Sequence, residues 1–273
     1  MTPGEISRCE KIKYFTDIHP FHYIPFVTIN EGTIVNEFVS PDTEPKFIKM
    51  KSTKPKDWYY NNHTVKYTTN NSGYRAPEWE TIDWKNSIIM FGCSCTFGIG
   101  ISDEHTIPYI LQELTGRPVI NLGVPSCSNN FIMDLNNMYT SRFPNPYAVV
   151  VNWSALNRNR IYNDQGIFHT GPWNDLGQAS DKIMKKINKI WSRSVQVPAH
   201  NYMSNKLLGI QFKNLWKGKS STAEITYFPG TDDIMNCEFV TMSQDARDSQ
   251  HPRSSNITVA ENIVNQLLKQ GKI

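Results

Sequence analysis

Four consecutive residues near the end of the chain, Asp248-Ser249-Gln250-His251, place a carboxylate and an imidazole on one short segment. Far upstream, Gly92-Cys93-Ser94 places a hydroxyl directly after an apolar run at 87–91. A hydroxyl is a poor nucleophile at neutral pH unless a base takes its proton, and an imidazole oriented by a carboxylate is such a base. If the fold brings Ser94 to His251, with Asp248 beside the imidazole, the three side chains could carry out acyl transfer.

The elements that must position these residues alternate between strands and helices. Continuous apolar runs at 87–91, 118–122 and 147–151 are typical of strands buried on both faces of a parallel sheet. Apolar residues at helical spacing predict helices at 103–114 and 129–139, the first stopped by Gly116. Further elements are predicted as helices at 182–191, 202–216 and 256–269 and as strands at 225–228 and 238–242. This alternation predicts an α/β fold, a three-layer α/β/α sandwich with a mainly parallel sheet.

The chain divides into two regions of different character. Residues 1–80 are rich in Pro, Lys, Thr, Asn and Tyr, with short β-leaning runs at 26–29 and 33–35. They predict an N-terminal extension of short strands and loops rather than a separate domain. Residues 81–273 predict the main domain, with a helical insertion at about 155–223.

Composition narrows the class of protein. The chain has 273 residues, 39% of them hydrophobic and 19% charged, and a net charge of only +3, which argues against nucleic acid or a membrane surface as a partner. No apolar stretch is long enough to span a membrane, and the N-terminus lacks the apolar core of a secretory signal. Five cysteines without scaffold spacing suit a reducing compartment. These features predict a cytoplasmic protein, from a bacterial cell or a virus made in one. The sequence does not specify an oligomeric state.

The segment around Ser94 is open to a chemical and a structural interpretation. Ser94 would lie just past the carboxyl end of a parallel strand, where open α/β sheets bind ligands. The glycines on both sides equally suit a tight connection that buries a small residue. A phosphate-binding loop is not indicated, because no Gly-Lys-Ser/Thr follows.

Several separated blocks of the chain resemble the SGNH (GDSL-type) hydrolase family. These blocks are Asn71-Ser72-Gly73-Tyr74-Arg75, Gly92-Cys93-Ser94, Thr96-Phe97-Gly98-Ile99-Gly100, Asn121-Leu122-Gly123-Val124-Pro125-Ser126 and Asp248-Ser249-Gln250-His251-Pro252. The resemblance implies a flavodoxin-like three-layer sandwich. It also implies that Ser94 is the nucleophile, that His251 is its base and that Asp248 orients His251. Asp245 is a rival carboxylate, but its spacing from His251 does not match the family block.

The chain departs from the family pattern at three positions. Cys93 replaces an aspartate that is not part of the triad. Ser126 stands where the family has the glycine whose backbone N–H faces the oxyanion, and a backbone donor survives this change if serine tolerates the conformation. Ser154 stands where the family has a donor asparagine, with Asn152 and Asn157 as neighbours. The expected oxyanion hole therefore consists of the backbone N–H groups of Ser94 and Ser126 with Ser154 or Asn152.

The sequence predicts no cofactor and no metal site. Cys93 and Cys95 flank Ser94, and Cys127 follows the second predicted strand, but a Cys-x-Cys spacing is a weak metal signal. Small buried thiols that pack the strand ends are the favoured interpretation. A cysteine nucleophile facing the same His251 is an alternative.

Two functional hypotheses follow from these residues. The first is a serine esterase or deacetylase acting on a small-molecule or carbohydrate ester, with acetylated carbohydrate favoured by the family resemblance. A sugar cleft would be lined by the aromatic residues Trp153, Trp173, Trp191, Trp216 and Tyr202, which core packing explains equally well. Arg158 and Arg160 could grip an anionic substrate group, although a solvated loop is the more common outcome. The second hypothesis is a catalytically inactive binding or structural module with the same fold.

Overall fold

The structure is a computed structural model that describes residues 38, 42–70, 72–163, 166–171, 198–243, 245–247, 251 and 253–271. The predicted strands at 26–29 and 33–35, the predicted helix at 182–191 and Asp248 lie outside these residues. In chain order the helices and strands are α1 (Glu44–Lys51), β1 (Ile88–Gly92), α2 (Ser94–Phe97), α3 (Ile107–Thr115), β2 (Val119–Gly123), α4 (Asn129–Arg142), β3 (Ala148–Trp153), β4 (Asn159–Asn163), β5 (Gly166–Thr170), α5 (Pro198–Trp216), β6 (Ser221–Thr226), α6 (Thr231–Met235), β7 (Glu238–Phe239) and α7 (Asn256–Leu268).

A five-stranded sheet with the order β2-β1-β3-β6-β7 forms the centre of the molecule, and every neighbouring pair in it is parallel. All residues of β1, β2 and β3 are buried, which explains why their sequences are continuous apolar runs rather than alternating patterns. Helices α3 and α7 pack against each other, and α4 packs against α5. The two pairs cover opposite faces of the sheet, so the predicted three-layer α/β fold is confirmed.

The strand order creates a crevice at one edge of the sheet. From β1 the chain passes to β2 on one side and then crosses to β3 on the other, so the connections after β1 and β3 leave in different directions. Open α/β sheets bind ligands at such a switch point, outside the carboxyl ends of the strands. The register aligns Gly92, the last residue of β1, with Gly123 on β2 and with Asn152 on β3.

Local sequence signals determine where helix α3 begins and ends. Helix α3 begins after Thr106, whose Oγ1 accepts a hydrogen bond from the backbone N–H of Tyr109 at 3.4 Å. It ends at Gly116, which has φ 64° and adopts the left-handed conformation that glycine tolerates best. Residues 103–105 form a 3₁₀ turn, so the helix begins later than the sequence predicts.

The region predicted as a helical insertion contains an antiparallel hairpin. Strands β4 and β5 pair from Asn159–Thr170 to Asn163–Gly166, and the sheet strand β6 begins at Ser221. The helical prediction for 202–216 is confirmed by α5, which begins at Pro198. Across the described part of the chain, none of the helices combines the length and apolar character needed to cross a membrane.

Candidate active site

Ser94 is the first residue of α2 and follows the carboxyl end of β1 by two residues. Cys93 is extended (φ −97°, ψ −151°), and Ser94 opens a single helical turn that Gly98 ends in the left-handed conformation. The turn packs tightly on the strand below it, because a Cβ atom at Gly92 would lie 2.8 Å from Thr96 Cβ and 3.1 Å from Asn152 Cβ. A side chain at position 92 would collide with these atoms, so glycine at this position allows the α2 turn to pack directly on the sheet.

His251 reaches the same place from the segment before α7. Its Nε2 atom lies 2.8 Å from Ser94 Oγ, a hydrogen bond between side chains 157 residues apart. His251 is 4% exposed and Ser94 is 7% exposed, so the pair is almost closed to bulk water. An unprotonated Nε2 at this distance can take the hydroxyl proton as Ser94 attacks an electrophile.

Asp245, the rival carboxylate, has a structural role in the loop that carries His251. It accepts hydrogen bonds from Ser243 Oγ at 2.8 Å and from the backbone N–H of Ser254 at 3.1 Å, and Arg253 Nη2 lies 3.8 Å away. Burial alone would raise the pKa of Asp245, but the donated hydrogen bonds and Arg253 lower it below its ordinary value. Asp245 thus ties the two ends of the loop together. Asp248 lies outside the described residues, and its role stays a prediction.

Asn152 presents the clearest unsatisfied polar group near the nucleophile turn. Within the described residues, neither Nδ2 nor Oδ1 of Asn152 has a hydrogen-bond partner, although the residue is fully buried. Thr96 Oγ1, which like Asn152 Cβ lies close to Gly92, is likewise buried without a partner in the described part of the chain. Buried polar groups are nearly always paired, so an orphaned amide at a crevice is a candidate donor for a ligand.

Ser154, the residue at the family's asparagine position, differs from Asn152. Its backbone N–H already donates to Asn129 Oδ1 at 2.6 Å, and its carbonyl accepts from Asn129 Nδ2 at 2.9 Å. Asn129 Nδ2 also donates to Asn205 Oδ1 at 2.7 Å, so this amide is fully engaged. Ser154 Oγ is buried with no partner among the described residues. The main chain at Ser154 is therefore held in place, while its hydroxyl is available.

Ser126 adopts a backbone conformation that normally belongs to glycine. It has φ 64°, one of two described non-glycine residues with positive φ. Pro125 and Ser126 occupy the centre of a turn closed by the Cys127 N–H to Val124 carbonyl hydrogen bond, 3.2 Å long. Proline followed by a residue at positive φ is the pattern of a type II turn. Serine therefore keeps the geometry that the family builds with glycine, at some conformational cost.

Three buried thiols surround the nucleophile turn. Cys127 Sγ donates to the Gly92 carbonyl at 3.3 Å, and Cys93 and Cys95 flank Ser94. A hydrogen bond from Cys95 and the positive charge of Arg158 hold the pKa of Cys93 well below its ordinary value against the effect of burial, whereas burial raises the pKa of Cys127. In the described ranges, no three ligating side chains gather as a metal site.

The remaining side chains singled out in the sequence fall into two groups. Trp153 and Trp216 are buried in the core, so their interpretation as a cleft lining is wrong, while Trp173 and Trp191 lie outside the described residues. Tyr202 is exposed on α5.

Arg160 pairs with Asp134 of α4, with Nη2 donating to Oδ1 at 2.8 Å, and Arg158 Cζ lies 5.0 Å from the centre of the Phe228 ring. Arg158 therefore packs on Phe228, and Arg160 joins the hairpin to α4.

The residues missed by sequence reasoning are those that support the site. Asn129 holds the main chain after β3, and Arg75 holds the turn after Ser94 by donating to the carbonyls of Phe97, Gly98 and Ile101 at 2.7–3.1 Å. Arg75 belongs to a block that resembles the family, which is a usable signal. Asn129 carries none, because its role depends on a strand that lies beside it only in the folded chain.

Comparison with known proteins places this chain near one group of solved structures. No protein-family profile matches it. No curated protein matches it either. Similar solved structures include a protein of the G-D-S-L family from Desulfitobacterium hafniense DCB-2 (11% identity, 67% of this chain and 99% of that one, TM-score 0.32). A second is an acetyl xylan esterase from the rumen bacterium Butyrivibrio proteoclasticus (9% identity, 77% of this chain and 68% of that one, TM-score 0.42). A third is the SGNH-hydrolase family esterase AlinE4 (12% identity, 70% of this chain and 98% of that one, TM-score 0.34).

Two of these structures, the G-D-S-L protein and AlinE4, are named for the family that the sequence blocks resemble. At such identities and TM-scores the likeness is distant. The fold is therefore assigned from the strand order of this chain, and the site from its own geometry.

Proposed function

We propose that this chain is an ester hydrolase that works by acyl transfer through Ser94. The observation that carries the proposal is the 2.8 Å hydrogen bond between Ser94 Oγ and His251 Nε2, both of them buried, at the switch point of the sheet. A hydroxyl paired with an imidazole in this way is the arrangement of an activated nucleophile.

The proposed reaction has two halves with the same proton path. Ser94 Oγ attacks the ester carbonyl carbon while its proton passes to His251 Nε2. The tetrahedral intermediate collapses to an acyl-serine, and His251 gives the proton to the departing alcohol. Water then attacks the acyl-serine, losing a proton to His251, and collapse of this second intermediate releases the acid and returns the proton to Ser94. Asp248 is proposed to orient the imidazole and to stabilise its cationic form.

The proposed oxyanion hole combines backbone and side-chain donors. The backbone N–H groups of Ser94 and Ser126 are the two main-chain candidates, and the left-handed turn at Ser126 supports the second. Asn152 is the favoured side-chain donor, because its amide is buried without a partner in the described residues. Ser154 is the second choice, through its hydroxyl, since its backbone N–H is taken by Asn129. Removing one such donor typically costs on the order of 10²–10³ in turnover.

The substrate class proposed is a short-chain acyl ester, with acetylated carbohydrate as the favoured alcohol. This choice comes from the family resemblance. It gains no support from Trp153 and Trp216, which lie in the core.

A second candidate is a binding module that has lost catalysis. It is favoured by one observation: the position of the family's donor asparagine holds Ser154, whose N–H is committed to Asn129. Such a module would keep the Ser94–His251 contact but lack an oxyanion donor opposite Ser94.

Hydrolysis of p-nitrophenyl acetate separates the two candidates. The wild-type chain, Ser94→Ala and His251→Ala are compared at equal concentration, with Ser141→Ala, an exposed serine on α4, as the matched control. The proposal expects turnover by the wild type and Ser141→Ala and its loss in the other two. Turnover retained by Ser94→Ala would overturn the nucleophile assignment, and an inert wild type would favour the binding module.

A further inference from the structure

The loop that carries His251 is held on both sides by residues from the beginning of the chain. Arg247 lies four residues before His251 and Arg253 lies two residues after it. Each contacts the segment formed by residues 42–70 and 72–75, called here the N-terminal clamp. The sequence gives this segment no catalytic role, yet its buried residues Asp42 and Arg75 contact the active-site loops.

Arg247 makes the most buried of these contacts. Its Nε lies 3.3 Å from Asp42 Oδ1, and the side chains are 3% and 0% exposed. Its guanidinium also lies over the rings of Phe38 and Phe47, with Cζ 4.3 Å and 4.6 Å from the ring centres. Burying two charges is costly unless they are paired, so this ion pair favours the position in which Arg247 and Asp42 meet. The contact therefore fixes where the loop starts.

Asp42 connects the same loop to the nucleophile side of the crevice. Its second oxygen, Oδ2, accepts a hydrogen bond from Tyr67 Oη at 2.8 Å. Tyr67 Oη in turn accepts one from the backbone N–H of Gly100 at 2.6 Å. Gly100 follows the turn that Ser94 opens, so a continuous chain of polar contacts runs from Arg247 through Asp42 and Tyr67 to the Ser94 side.

Further contacts of the clamp involve Arg253, His105 and the turn after Ser94. Arg253 follows His251 in the chain, and its Cζ lies 4.0 Å from the centre of the Tyr59 ring. Tyr59 Oη is 2.9 Å from His105 Nε2, which joins it to the segment before α3. Arg75 completes the set by holding the carbonyls after α2, as described above. The clamp thus contacts the backbone or side chains on both sides of the Ser94–His251 pair.

We infer that Asp42 is a positioning residue for the proposed catalytic pair. Through Arg247 on one side and Tyr67 on the other, it sets the distance between the His251 loop and the turn of Ser94. This inference builds on the proposed function, since the distance matters for turnover only if Ser94 is the nucleophile. A displacement of about 1 Å at a reacting pair can cost roughly 10²-fold in rate.

The test replaces Asp42 with Asn, which keeps the shape and removes the charge. The matched control is Asp57→Asn, an exposed aspartate of the same clamp. Two readouts are taken on folded protein: kcat and KM for p-nitrophenyl acetate, and amide hydrogen exchange at Gly100 and Ser254 relative to the β1 core. The inference expects kcat to fall roughly 10²-fold in Asp42→Asn with little change in KM. It also expects faster exchange at both loops and unchanged exchange in β1. Asp42→Glu, which restores the charge, should recover part of kcat.

The outcomes distinguish the inference from the proposed function. If Asp42→Asn does not fold, Tyr67→Phe decides, because it breaks the link to Gly100 while keeping the ring; faster exchange at Gly100 and a smaller loss of kcat are expected. Turnover and loop exchange equal to those of Asp57→Asn would overturn the inference while leaving Ser94 as the nucleophile. An inert wild type would overturn the proposed function, and the exchange measurement would then decide the positioning role alone.

Discussion

Ser94 and His251 are 157 residues apart in the sequence, and Ser94 Oγ and His251 Nε2 are 2.8 Å apart in the structure. The first residue follows strand β1 of the sheet and the second precedes the last helix. Their meeting depends on the strand order β2-β1-β3, which opens a crevice directly above β1.

We predict that the Asn152 side chain contributes to kcat but adds little to the free energy of unfolding. Asn152→Leu removes a buried amide that has no partner in the described residues, so the free energy of unfolding should stay constant or rise. If Asn152 faces the oxyanion, kcat should fall on the order of 10²–10³. Urea unfolding and ester hydrolysis measure the two effects.

Asn136 is the matched control for Asn152. It is equally buried, but its Oδ1 accepts from Trp216 Nε1 and its Nδ2 donates to the Ile132 carbonyl, both at 2.9 Å. Asn136→Leu should therefore lower the free energy of unfolding by about 1–3 kcal/mol and leave kcat unchanged. The reverse pattern, with Asn152→Leu destabilised and fully active, would remove Asn152 from the oxyanion hole.

Replacing Ser126 with glycine should stabilise the fold without loss of activity. Serine at φ 64° carries a left-handed penalty of about 1 kcal/mol, which glycine avoids, although glycine loses more entropy on folding. The backbone N–H stays in place. Asn236→Gly, at φ 53°, is the control, and its gain should be smaller because asparagine tolerates this region. Lower stability in Ser126→Gly would show that the serine side chain makes a needed contact.

Glu224 should make the stability of the fold depend on pH. Burial raises its pKa to about 7, opposed by the hydrogen bond from Trp153 and the charge of Lys213. The folded state therefore holds a proton that the unfolded state has lost, so this stabilisation is complete below about pH 4 and is lost as pH rises through 7.

The Glu224→Gln variant isolates that contribution. The wild type should lose about 3 kcal/mol more than Glu224→Gln between pH 4 and pH 8, measured by urea unfolding. Equal slopes for the two proteins would mean that the pKa of Glu224 is the same in the folded and the unfolded state.

Cys93 should be dispensable for turnover despite its lowered pKa. The thiol is fully buried, and it is Ser94 Oγ, not Cys93 Sγ, that is observed at 2.8 Å from His251. Cys93→Ala should keep most of the ester hydrolysis, while Ser94→Ala should abolish it. Loss of activity in Cys93→Ala with retention in Ser94→Ala would instead support the cysteine nucleophile.

Much of the sheet could be predicted from the sequence. Strands β1, β2 and β3 are buried on both faces, so their apolar runs carry a strong signal. The Asp-x-x-His block identified His251 as the candidate base, and the segment after β1 identified Ser94 as its candidate partner. The structure supplied the distance between them, which no local pattern contains.

The supporting residues could not be predicted, for a physical reason. Asp42 and Arg247 come from opposite ends of the chain. Nothing in the sequence distinguishes them from charged residues on the surface, because their burial arises only in the folded structure. The β4–β5 hairpin was missed because its strands are short and directly precede segments with helical patterns at 182–191 and 202–216, so the whole region was predicted as helical. Asn152 was one of several polar neighbours in sequence, and only its burial and lack of a partner in the described residues distinguish it.

Covalent labelling with a fluorophosphonate, followed by peptide mapping, tests the central claim most directly. The wild type should carry one adduct, on Ser94, and His251→Ala should label far more slowly because the hydroxyl has lost its base. An adduct on a residue other than Ser94, or equal labelling of His251→Ala, would contradict the account.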